Sequence, residues 1–168
     1  GFRLRYGRFG IHGWAFGDID FMVSMETADD DVRPLDAWLA YRPLSSLGIV
    51  LGAHKVPFSR YATTSAAKGS LIERPLSIDA MSPYRQMGLT IEGTVGGGLA
   101  SYAVGVYNGL DRHTNFHEGY TENAVFEGNR FNKLSVAGRL SLEPLGSLGD
   151  DIADLDGDGL RIAVGMSV

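Results

Sequence analysis

Apolar and polar residues alternate with a period of two along eight separate stretches of this chain. Successive side chains of an extended strand point to opposite faces, so such alternation fits a strand with one apolar and one polar face and does not fit a helix. Ile19, Phe21, Val23 and Met25 oppose Asp18, Asp20, Ser24 and Glu26. Leu35, Ala37, Leu39 and Tyr41 oppose Asp36, Trp38, Ala40 and Arg42, and Leu47, Ile49, Leu51 and Ala53 oppose Gly48, Val50, Gly52 and His54. Further on, Met87, Leu89 and Ile91 alternate with Gly88, Thr90 and Glu92, and Tyr102, Val104 and Val106 with Ser101, Ala103, Gly105 and Tyr107. The seventh stretch, Lys133 to Glu143, is the most regular, and the last runs from Leu160 to Val168. The first, Phe2 to Phe16, slips in phase; a bulge near Gly7 would reconcile its halves and gather Arg3, Arg5, Arg8 and His12 on one face.

Two properties of these stretches point to a class. Most run about 8 to 11 residues, long for a globular strand and near what a tilted strand needs to cross a bilayer. The links after the first, third and fifth stretches are short, with Gly17-Asp18 and Gly96-Gly97-Gly98 as turns. Those after the second, fourth and sixth are longer, including the polar run Ala28 to Arg33 closed by Pro34. Up-and-down barrels of outer membranes show that asymmetry, although the link Pro144 to Gly159 breaks the rule. The expectation is an all-β, antiparallel up-and-down transmembrane barrel, with about eight strands in residues 1–168 as a single barrel segment. The chain opens and stops inside strand patterns, which reads as a fragment. A soluble β-sandwich or soluble barrel also alternates and also uses glycine turns, and the polar face alone does not choose between them.

Composition narrows the function classes. No run of about 18 apolar residues exists to make a membrane helix, while a mean hydropathy of -0.03 is compatible with barrel strands. With no cysteine there is no disulfide, thiolate metal site or thiol nucleophile, and a net charge of -5 argues against a nucleic-acid binder. His12, His54, His113 and His117 are scattered without a nucleophile-elbow serine, and Gly96-Gly97-Gly98 leads into a strand rather than a helix. Nothing here points to an enzyme. Asp154, Asp156 and Asp158 resemble the start of a calcium loop, but the twelfth position is Gly165 and not an acid; a plain Asp-Gly turn is the favoured reading, and no other cofactor is expected.

The longest break in the alternation, His54 to Arg85, is basic: Lys55, Arg60, Lys68, Arg74 and Arg85 stand against Glu73 and Asp79. A second long loop spans Asn108 to Asn132. Cations on a barrel's inner wall or on an infolded loop would attract anions, and the arginine fork matches phosphate oxygens. The same groups could equally be solvated loop charges, or pair with wall carboxylates such as Asp18, Asp20, Glu26, Asp36, Glu92 and Glu143.

FRLRYGRFGIHG from Phe2, Asp36-Ala37, GAHKVPF from Gly52, IERP from Ile72, RQMG from Arg85 and GVYNG from Gly105 occur in an order that resembles the phosphate-selective porins of the O and P type. The similarity is to the N-terminal half of such a porin and spans most of the chain. The resemblance implies a 16-stranded homotrimeric barrel in the bacterial outer membrane, in contact with lipid, with basic residues forming a path for small anions. By region and residue type, that path maps onto Arg3, Arg5, Arg8, Lys55, Arg60, Lys68, Arg74 and Arg85. The expected function is passive diffusion of small hydrophilic solutes with an anion or phosphate preference. The alternatives are a small closed membrane barrel that anchors or supports, and a soluble all-β module whose long loop contacts a ligand.

Overall fold

The computed structural model describes residues 7–28, 31–65, 75, 82–83, 85–108, 134–147 and 159–168. In them the alternation becomes eight strands: β1 Gly7–Ala15, β2 Ile19–Ala28, β3 Asp31–Leu44, β4 Leu47–Lys55, β5 Arg85–Val95, β6 Ala100–Asn108, β7 Leu134–Leu142 and β8 Val164–Ser167. They form one sheet in chain order β1 to β8, every pair antiparallel. Helical structure among the described residues is one short turn, α1 Arg60–Thr63, and a 3-10 turn at Gly96–Gly98. No helix among them is long and apolar enough to cross a membrane, a criterion that does not concern strands. The protein is therefore all-β and up-and-down, as the alternation predicts.

One end of the sheet is made of tight connections. Ser45-Ser46 joins β3 to β4, and Phe16-Gly17-Asp18 joins β1 to β2. Between β5 and β6, Gly96, Gly97 and Gly98 take φ of 65°, 67° and 105°, a region that a Cβ atom disfavours. At the other end, β4 leads into the segment that carries α1.

Burial runs opposite to that of a soluble sheet. Val23 is 49% exposed, Leu51 58% and Val136 67%, and the exposed apolar row continues through Phe9, Ile49 and Ile91. On the other face Ser24, Glu26, Thr90, Ser141 and Glu143 are buried, Glu26 to 5% and Thr90 to 1%. A β-sandwich brings its apolar faces together, and the described residues of this sheet do not. Apolar side chains turned outward and polar ones turned inward are what a lipid-embedded barrel wall requires.

Three details differ from the sequence expectation. The run Ala28 to Arg33 is not a long polar link, because β2 and β3 stay paired through Glu26↔Arg33, Thr27↔Val32 and Ala28↔Asp31. The ladder shifts register between Ser24 and Met25, whose partners are Asp36 and Pro34, so Leu35 is an extra bulge residue. A bulge admits Pro34 into a strand and takes Leu35 out of the outward row; Leu35 is 6% exposed and lines the concave face. The last strand is shorter than Leu160 to Val168, since pairing starts at Val164↔Leu142. Continued in register, residue 162 would face Pro144, which has no N–H to give.

Candidate solute pathway

The polar face is concave and forms an open groove of about 1030 Å³, lined by side chains from β1 through β7 and by the segment after β4. Its wall contains the cations Arg8, Arg42, Lys55, Arg60, Arg85 and Arg139 and the carboxylates Asp36, Glu92 and Glu143. Glu26 and Asp20 stand behind Arg8 and Arg42 on the same face, so cations exceed carboxylates there by a small margin in a chain that is acidic overall.

Most of these charges are held by a partner across the sheet. Arg8 Nε donates to Glu26, and Arg85 grips Asp36 with Nε and Nη2 at 2.8 and 3.0 Å while Ser24 Oγ donates to the same carboxylate at 2.9 Å. Arg42 bridges two strands, donating to Asp20 on β2 and to Glu92 on β5 at 2.8 Å. Between them lies an uncharged chain. His54 Nδ1 is 2.9 Å from the Gly52 carbonyl, which can only accept, so Nδ1 carries the proton. His54 Nε2 then accepts from Thr90 Oγ1 at 2.6 Å, and Thr90 Oγ1 accepts from Tyr107.

The segment Val56–Ser65, a strap, crosses this face instead of extending away from the sheet. Ser59 caps α1, its Oγ accepting from the Ala62 N–H at 3.1 Å. Lys55 Nζ closes the other end by donating to the Thr63 and Thr64 carbonyls at 2.6 and 3.1 Å, where a helix leaves acceptors unsatisfied. Val56 packs with Tyr107 and Ala137, a small apolar cluster on the wall. Beyond it Arg60 reaches Glu143 at 2.7 Å, and Arg139 on β7 donates to Thr63 Oγ1 at 3.0 Å. The strap therefore starts from β4, passes β5 and β6, and docks on β7.

Of the residues expected to form the pathway, Arg8, Lys55, Arg60 and Arg85 all line this cavity. Arg3, Arg5, Lys68 and Arg74 lie outside the described residues, as do half of the first long loop, all of the second beyond Asn108, and the calcium candidates Asp154, Asp156 and Asp158. Among the described residues no group of three or more histidine or carboxylate side chains could hold a metal ion. Arg42 and Arg139 were not among the expected pathway residues, although each stands on the polar phase of its strand. That phase was the available signal.

A family model described as phosphate-selective porin O and P matches residues 1–138. No curated protein and no solved structure matches the chain.

Proposed function

Because the chain belongs to the phosphate-selective porin O and P family, a channel family and not an enzymatic one, we propose that the concave face is one wall of a passive passage for small anions across the bacterial outer membrane. The carrying observation is the inverted burial: the outward row of Val23, Leu51 and Val136 suits lipid, and the inward row of Arg8, Arg42, Lys55 and Arg85 suits water and ions. Transport of this kind makes and breaks no bond. The wall lowers the cost of moving charge through a low-dielectric slab, and the strap Val56–Ser65 narrows the bore.

Selectivity follows from the balance of charge. Six lining cations favour anions, while the pairs Arg8–Glu26, Arg42–Asp20, Arg42–Glu92, Arg60–Glu143 and Arg85–Asp36 offset most of that charge. The reading is a constriction first and a phosphate selector second. The assembly is a homotrimer with its apolar rows against lipid or a neighbouring copy.

Reversal potentials in a KCl gradient across planar bilayers test this. The wild type should reverse on the anion-selective side, and Lys55→Gln with Arg139→Gln should move the potential toward the cation side. Cation selectivity in the wild type, or no movement in the double variant, would overturn the assignment.

A further inference from the structure

The inward row of β3 reads Asp36, Trp38, Ala40, Arg42, so an indole stands between two arginine–carboxylate pairs. Same-face positions on a strand are about 7 Å apart, which puts Trp38 one step from the Asp36–Arg85 pair and two from Arg42. The Arg42 guanidinium carbon lies over the indole, 5.6 Å from its centroid and within cation–π range, and the group is tied to Asp20 and Glu92. His12 approaches from β1 with its ring 6.0 Å away. The wall is low on the β4 side, where the ladder partner of Trp38 is Gly52 and Gly48 lies beside Arg42, while on the β2 side the partner is Met22, which also lines the cavity. Trp38 lines the cavity and is only half-buried, and its indole N–H makes no hydrogen bond among the described residues.

Such a plate offers the cavity an aromatic ring on which a flat solute can stack and an indole donor at its edge, with Arg42 over the ring and the Arg85–Asp36 pair one strand step away. Inorganic phosphate would use only the guanidinium groups. We propose that Trp38 forms a subsite for organic phosphate monoesters that carry a planar ring, the ring lying on the indole and the phosphate meeting Arg42 or Arg85. This rests on the reading of the cavity as a solute pathway and specifies which solutes dwell in it.

The probe is adenosine 5′-monophosphate, compared with inorganic phosphate and with adenosine. The chain has two tryptophans, so in a Trp14→Phe background the protein refolded in micelles reports on Trp38 alone. Saturable quenching by the nucleotide is expected, at a lower concentration than by adenosine and without a counterpart for inorganic phosphate. In bilayers the nucleotide should block the current at lower concentration than inorganic phosphate, and Trp38→Ala should raise the half-blocking concentration by roughly tenfold, in line with loss of one stacked base. Trp38→Phe, which keeps a ring, should restore most of the block.

The two readings fail separately. A conducting pore whose nucleotide block is no tighter than that of phosphate, or is unchanged in Trp38→Ala, overturns the subsite and leaves the channel. Saturable quenching in a protein that carries no current supports the subsite and removes the channel.

Discussion

Arg85 and Asp36 lie 49 residues apart, yet meet as a two-pronged pair whose side chains are 9% and 13% exposed. Removing one partner of such a pair leaves the other desolvated without compensation, which costs more than the pair itself contributes. Arg85→Ala should therefore lower the free energy of unfolding in micelles, followed by urea titration, by about 2 kcal/mol once screening by lumen water is allowed for. Asp36→Asn added to that variant should recover a good part of the loss, and failure to do so would mean that the pair is incidental. Which residues face inward was legible in the sequence, because Asp36, Arg42, Thr90 and Glu92 all hold the polar phase. Their pairing was not, since it depends on how far the sheet curves. Trp38 carried no signal beyond its phase, and its meaning comes from Gly52, which the register sets beside it on β4, and from Arg42 over its ring.

The strap is the element with the clearest division between what local sequence specifies and what it does not. Loss of alternation after Lys55 marks a loop, and Ser59 ahead of Arg60–Thr63 is an ordinary helix cap. Its inward course depends instead on contacts with Tyr107 on β6, Ala137 and Arg139 on β7, and Glu143 just after β7, the last 83 residues from its partner Arg60. If Arg60 and Glu143 act as one clasp, Arg60→Ala and Glu143→Gln should each raise single-channel conductance and current noise. The double variant should go no further than either alone, because the two changes remove the same contact. Additive effects would show that the residues act independently. The hairpin β2–β3 teaches the complementary lesson: Asp29, Asp30 and Asp31 with Pro34 read as a link, and the bulge that lets the ladder run past Pro34 left no mark that alternation could detect.

At the scale of the whole molecule, the inverted burial predicts opposite responses to the same substitution on the two faces. Leu51 stands mid-ladder between Leu39 and Leu89 on the outward row, so Leu51→Arg should cost about 2 to 4 kcal/mol of folding stability in lipid vesicles. Ala103 lines the cavity beside Glu92, and Ala103→Arg should cost far less. Equal penalties would contradict the assignment of faces. Up-and-down order, strand number and the sidedness of the short turns were all recoverable from periodicity, which is a local property. The bore is set by something smaller. Tyr107 lies flat because Gly88, its ladder partner, and Gly105, two residues before it, carry no side chain; a Cβ at Gly105 would fall 2.6 Å from its ring carbon Cζ. Gly105→Ala should tip the ring upright, break its bond to Thr90, lift Val56 from its seat and lower conductance in bilayer recordings. The width of the passage is in that sense written in two hydrogen atoms, and a single methyl group acts as a stopper.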